Sequence, residues 1–290
     1  MRAYLNGQFL PLSEARISPL DRGFLYADGV YEVIPVYSRF PFRIDEHLRR
    51  FQDSFDGIRL ANPHSADEWK TIILRLIAES EFDDQQVYIQ VSRGADIKRD
   101  QCFPKGVAPT VFLFSAPLVS PSAAQREAGV AVITAPDIRW SRCDLKTVSL
   151  LPNILTRQLS ADVGCTETIM LRDGLLTEGS ATNIFLVKDG VIITPPKDHL
   201  ILPGVTYDVV LELAAKHQAP HQIRPVSEAE LRSADELWMT SSTKEVLAIA
   251  TLDGQPVGHG DQAGKPGPVT RQMHAWFRTY KEEVMRHGDA

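Results

Sequence analysis

"RCDLKTVSLLPNIL", residues 142–155, sets one lysine between a polar turn and an apolar run with a proline near its start. Pro152 is tolerable in a first helical turn, where the missing N–H would lack a partner anyway, so a helix is predicted over 150–164 with Lys146 just before it. Taken alone, Lys146 reads as a surface lysine beside a helix start. A lysine becomes chemically distinct when apolar burial and positive neighbours favour its neutral amine, the form that adds to a carbonyl. Arg139 and Arg142 stand nearby in sequence and permit that second reading. Cys143 invites a nucleophile reading, but a free cysteine is more often a small core residue.

Downstream of this stretch, Asp-Gly pairs at 173–174, 189–190 and 253–254 join apolar runs such as "ETIML", "NIFLV" and "VIITP". These read as strands with tight turns in a twisted or barrel-like sheet, interrupted by helices at "GVTYDVVLELAAKH" and "PVTRQMHAWFRTYKEEVMRH". Upstream, "YLNGQFL" holds an Asn-Gly hairpin turn and "GVYEVIPVY" is a strand by its β-branched and aromatic content. Two amphipathic helices follow. "IDEHLRRFQDSF" spaces Leu48, Phe51 and Phe55 helically, and "SADEWKTIILRLIAES" opens with a Ser65/Glu68 capping box before Trp69, Ile72, Ile73, Leu76 and Ile77. "QQVYIQVSRG" and "TVFLFSAPL" are again strands. The polar "VSPSAAQREAG", residues 119–129, is the expected linker, which gives an α+β protein with domains at 1–118 and 130–290.

Composition excludes some partners. The 290 residues have room for about two domains of roughly 150 residues each. A formal charge of -6 argues against a general nucleic-acid or anionic-membrane binder. The opening residues lack a signal peptide's apolar core, and no run approaches the roughly 20 apolar residues that span a bilayer. Three scattered cysteines without a C-x-x-C pair suit a reducing compartment, so the expected location is cytoplasmic. The eight histidines show no metal-site spacing, and no catalytic metal is expected.

Three further stretches carry chemistry. In "TEGSATNIF", residues 177–185, Glu178 stands in a Gly/Ser/Thr-rich turn, either a plain loop or a carboxylate able to face a protonated ring nitrogen. Gly204, Val205 and Thr206 begin a helix, whose first N–H groups either meet solvent or receive a phosphate. The loop in "MTSSTKEV" caps a helix or supplies more phosphate donors.

"LDRGFLYADGVYEVIPVY", "IDEHLRRF", "RCDLKTVSLLPNIL", "TEGSATNIF", "LPGVT" and "TSSTKEV" follow one another in the order found in class IV aminotransferases, and the chain resembles that family over its whole length. Within it, the resemblance is strongest to members acting on D-amino acids. It implies fold type IV, with a small N-terminal α/β domain and a larger C-terminal pseudo-barrel domain, and pyridoxal 5'-phosphate as cofactor. It also implies a homodimer, and amino acid and keto acid substrates. By motif, Lys146 would hold the cofactor as a Schiff base and act in proton transfer, and Glu178 would keep the pyridine nitrogen protonated. Arg50 would pair with the phosphate; Arg49, about 100° around the helix, would face elsewhere. Val205, Thr206 and Ser242 would add phosphate contacts, and Leu202 would pack on the ring.

Tyr31 matches the family's carboxylate-binding tyrosine, but the loop "RGADIKRDQCFP", residues 93–104, departs from its Arg-x-His pattern. Anchoring on Phe103-Pro104 aligns Arg99 with the arginine and puts Gln101 in place of the histidine. A register using Lys98 instead would supply a point charge without a fork. Asp100 adds a negative charge beside the trap. The resemblance thus points to D-amino acid transamination with pyruvate or 2-oxoglutarate as acceptor. R-selective amine or branched-chain transamination, and aminodeoxychorismate lyase chemistry, stand as alternatives on the same scaffold.

Overall fold

Residues 1–288 are described by the computed structural model, and they divide into two compact units. The first comprises Met1–Val119, Leu145–Leu150 and the segment beginning at Glu283; the second comprises Ser120–Asp144 and Leu151–Glu282. Lys146 is thus carried by the first unit, although it lies inside the stretch 130–290 that the sequence assigns to the second.

In the first unit, β1 (Arg2–Leu5) and β2 (Gln8–Pro11) form the hairpin predicted at Asn6-Gly7, where both turn residues take positive φ. There follow α1 (Arg22–Tyr26), β3 (Gly29–Tyr37), β4 (Phe40–Pro41), α2 (Ile44–Gly57), α3 (Ala66–Ala78), β5 (Gln85–Ser92) and β6 (Thr110–Pro117). The strands make an antiparallel sheet in the order β2-β1-β6-β5-β3-β4. Phe51 and Phe55 from α2, and Trp69, Ile73 and Leu76 from α3, are buried with Ile34, Val87, Ile89 and Leu113 from the strands. Each such side chain contributes about 1.5–3 kcal/mol by leaving water, so the helical spacing read from sequence is what docks both helices on one face. The Ser65/Glu68 capping box is formed.

Residues 145–150 join this unit through the backbone. Tyr31 N donates to Lys146 O at 2.9 Å, Val148 N donates to Gly29 O at 3.1 Å, and Val30 bridges Thr147 in antiparallel fashion. Gly57 gives the segment room, because a Cβ there would lie 2.3 Å from Leu145 Cδ2.

The second unit contains α4 (Ala123–Ala128), β7 (Val130–Pro136), α5 (Leu151–Asp162), β8 (Glu167–Arg172), β9 (Leu175–Gly179), β10 (Asn183–Lys188) and β11 (Val191–Thr194). It continues with α6 (Val205–Lys216), β12 (His221–Ile223), α7 (Glu228–Arg232), β13 (Glu236–Ser241), β14 (Glu245–Leu252), β15 (Gln255–Pro256) and α8 (Pro268–Glu283). The sheet runs β12-β11-β10-β13-β14-β7-β8-β9, with β15 on β14. It is mixed: β7 pairs in parallel with both β8 and β14, and β11 pairs in parallel with β12. Val132, Ile169, Ile184, Leu186, Leu237, Met239, Leu247 and Ile249 form its core. The Asp-Gly turns appear as read, with positive φ at Asp173, Asp189 and Asp253 and at the glycine after each.

The polar stretch 119–129 is more than a linker. Ser122 and Gln125 cap each other's backbone N–H groups, and that reciprocal box starts α4. Among the described residues no helix is long and apolar enough to cross a membrane.

Candidate active site

Lys146 lies beside β3. Its N–H donates to Ser54 Oγ on α2 at 3.0 Å, and its Nζ lies 4.3 Å from the centre of the Tyr31 ring. Tyr31 in turn stacks on Tyr88 of β5, with ring centres 5.7 Å apart. Two residues named from sequence, Lys146 and Tyr31, are therefore neighbours.

The strand alternation that presents Tyr31 sends Glu32 the other way, into a fully buried cluster. Arg50 Nε donates to Glu32 Oε1 at 2.7 Å, Arg50 Nη2 to Glu32 Oε2 at 2.9 Å, and His47 Nδ1 meets Oε2 at 2.7 Å. Burial pushes the Glu32 carboxyl up, but Arg50 and His47 outweigh it and hold the group well below the usual carboxylate range. Burial also pushes His47 down, and Arg50 and Lys146 add to that against the pull of Glu32, so its ring is neutral at neutral pH. An ionised carboxylate only accepts, which assigns the proton to Nδ1 and leaves Nε2 a buried acceptor with no hydrogen-bond partner among the described residues. Arg50 is buried and Arg49 exposed, as helix geometry requires of neighbours.

In the second unit Glu178 closes β9. Its oxygens accept from Arg139 Nη1, from Leu202 N at 3.1 and 3.2 Å, and from Asn183 Nδ2 at 3.2 Å. Burial pushes its carboxyl up to about 7, against the opposing pull of Arg139 and Leu202 N–H. Arg139 is oriented by Asp137, with Nε on Oδ1 at 2.9 Å and Nη2 on Oδ2 at 2.8 Å. Arg142 pairs with Asp144. The two arginines that sequence placed near Lys146 are thus each committed to carboxylates. Cys143 is buried, its thiol pushed up to about 11 by burial and pointed at Trp140 O at 3.0 Å, so it is not a thiolate nucleophile at neutral pH.

Gly204 is the N-cap of α6 and brings no side-chain cap, so the first N–H groups of Val205 and Thr206 are not closed off by one. A Cβ at Gly204 would lie 2.1 Å from Asn183 Oδ1, the amide that also holds Glu178 and, at 3.0 Å, Leu202 O. One asparagine therefore ties the carboxylate to the helix start. Ser242 belongs to the turn joining β13 and β14, where Ser241 Oγ accepts from Lys244 N at 3.1 Å; the hydroxyl-rich loop closes a hairpin instead of capping a helix.

Arg99 and Gln101 are exposed on the loop after β5, with the Arg99 guanidinium 5.6 Å over the Tyr26 ring. Asp100 turns its carboxylate back on its own loop, accepting from Cys102 N at 3.0 Å. Sequence reading did not find Glu32, Asp137 or Asn183. Their only sequence signal is a polar residue within a strand or at its end, which becomes meaningful once the partner brought by folding is known.

The family model for amino-transferase class IV matches residues 29–252, and the chain belongs to that family. It is 36% identical over 273 residues to the D-alanine aminotransferase of Bacillus licheniformis, covering 94% of each chain. Among solved structures, the branched-chain amino acid aminotransferase of Escherichia coli matches with a TM-score of 0.89 at 26% identity, over 96% of this chain and 93% of that one. The T.th. branched-chain amino acid aminotransferase, solved with pyridoxamine 5'-phosphate, shares the fold with a TM-score of 0.87 at 24% identity, over 96% of this chain and 92% of that one. Class IV aminotransferases use pyridoxal phosphate.

Proposed function

We propose that this chain transfers the amino group of D-alanine and related D-amino acids to a 2-keto acid such as pyruvate or 2-oxoglutarate, using pyridoxal 5'-phosphate attached at Lys146. The observation that carries the reading is the Glu178 site. A buried carboxylate, already held by three donors and with its acid form favoured by burial, is suited to a group that brings a positive ring nitrogen and restores the ionised form. The rest of the donor set fits the same cofactor: an α6 start without a side-chain cap for the phosphate, and a buried Arg50 whose fork is fixed by Glu32.

When bound, pyridoxal phosphate supplies an electron sink for the pair left when a substrate Cα proton departs. Freed by the incoming substrate amine, Lys146 Nζ would be the base that takes up that proton. Glu178 would keep the ring nitrogen protonated. Arg50, Val205, Thr206 and Ser242 would hold the phosphate, and Leu202, its N–H tied to Glu178, would pack on the ring. Tyr31, Arg99 and Gln101 receive the substrate carboxylate, with Gln101 giving a neutral donor where the pattern has a histidine.

The active form is a homodimer. Support comes from α5, whose Leu151, Ile154, Leu155 and Leu159 are each about half exposed or more at helical spacing. The three free cysteines fit a cytoplasmic location.

The test is the absorption spectrum of cofactor-loaded protein during addition of D-alanine without keto acid, with L-alanine as control. Bleaching of the visible cofactor band by D-alanine alone is expected; bleaching by L-alanine alone, or by neither, overturns the assignment. A second reading, branched-chain or amine transamination, is favoured by Gln101 and the E. coli structural match. Arg99→Ala separates the amine reading from the first, because it should harm amino acid turnover far more than amine turnover only under the first.

A further inference from the structure

Residues 93–109, between β5 and β6, carry Arg99 and Gln101, and this loop exceeds the roughly 12–15 residues that connections without secondary structure usually reach. Without extra restraint, a loop of that length would spread Arg99 over many positions. Its base is pinched by backbone contacts. Gly94 takes φ +89, and a Cβ there would lie 2.0 Å from Ala108 O. Arg22 N donates to Gly94 O at 2.8 Å, and Asp21 bridges Ala95.

The arch of the loop is held by two buried arginines that share one carboxylate. Arg22, 4% exposed, sends Nε to Asp28 Oδ2 at 2.9 Å, Nη1 to Asp100 O at 2.6 Å and Nη2 to Gln101 O at 3.2 Å. Arg93, 7% exposed, sends Nε to both Asp28 oxygens at 2.9 and 3.1 Å, and its remaining donors to Ile58 O at 2.8 Å and Arg59 O at 3.0 Å. Its guanidinium also lies 3.7 Å over the Phe103 ring. Asp28 thus orients both forks, one of which grips two successive carbonyls directly after Arg99. Arg99 reaches back over Tyr26, on the same short helix as Arg22.

We propose that Arg22, backed by Asp28 and Arg93, is a positioning residue that sets Arg99 and Gln101 for the substrate carboxylate. This rests on the reading of Arg99 and Gln101 as the carboxylate donors. Arg22→Lys keeps a cation for Asp28 but cannot fork across two carbonyls. The experiment measures KM and kcat for D-alanine in the loaded enzyme, together with the rate of tryptic cleavage at Lys98, which all four proteins keep. The proteins compared are the parent, Arg22→Lys, Arg99→Ala and the double variant.

Loss of one or two such bonds is expected to raise KM about tenfold, with kcat changed by no more than about twofold. Cleavage should quicken, and the double variant should be no worse than Arg99→Ala, since residues acting through one another do not add. If Arg99→Ala raises KM and Arg22→Lys leaves it unchanged, the clamp is refuted while the carboxylate reading stands, even if cleavage quickens. If Arg99→Ala leaves KM unchanged, the carboxylate reading fails and the clamp falls with it. Should Arg22→Lys not fold, Phe103→Ala at a half-exposed position removes the Arg93 stacking, with a KM rise of about threefold expected and no rise overturning the proposal.

Discussion

Glu178 shows how one residue links stability to its chemistry. Its carboxyl is raised to about 7 by burial, so the folded protein binds a proton more tightly than the unfolded chain does. Stability from that proton is fully present below the unfolded value near 4.5 and is lost as pH rises through 7. At about 1.4 kcal/mol per unit, cofactor-free protein should lose about 3 kcal/mol across that window from this group. Glu178→Gln, which cannot ionise, should flatten that part of the curve in denaturant titrations at pH 5, 6 and 7; an unchanged slope would place the titration elsewhere. Glu32 runs the opposite way. Its lowered carboxyl contributes stability present above its unfolded value and lost as pH falls toward its folded one, in the acid range where Arg50 loses its orienting partner.

At the scale of elements, the start of α6 depends on a missing side chain. Gly204 has φ -68, so its value is space: the Asn183 amide occupies the position a Cβ would take. Gly204→Ala should push Asn183 off Glu178 and Leu202 O and destabilise the protein by about 1–3 kcal/mol, measured by thermal or denaturant unfolding. A neutral result would mean that Asn183 relaxes without cost. Elements whose cues lie within a few residues were legible in the sequence. These include the Asn6-Gly7 hairpin, the Ser65/Glu68 box and the Asp-Gly turns, because steric and capping rules act over three or four positions. The helix α4 has the same kind of cue in Ser122 and Gln125, but its six residues hold no apolar side chain larger than alanine and so carry no apolar face to mark them as a helix.

For the whole molecule, the apolar stripe on α5 makes a prediction about assembly. Leu155→Glu, at a position 52% exposed in the single chain, should leave the fold intact and halve the mass seen by sedimentation. An unchanged mass would move the interface away from α5. By itself, the sequence determined the α+β class and the order and type of the main elements, and it named the lysine, arginine and carboxylate on which the proposal rests. Periodicity, turn chemistry and motif order are local or sequential properties, and a chain carries them openly. Only the tertiary structure decided the company each residue keeps. It placed Lys146 against β3 and Tyr31, gave Arg139 to Glu178 and Asp137, put Glu32 under Arg50, and closed Arg22 on the carbonyls of Asp100 and Gln101. Those partners lie from two positions apart, for Arg139 and Asp137, to more than a hundred, for Lys146 and Tyr31, and a buried charge must find a counter-charge or hydrogen bonds wherever folding brings them.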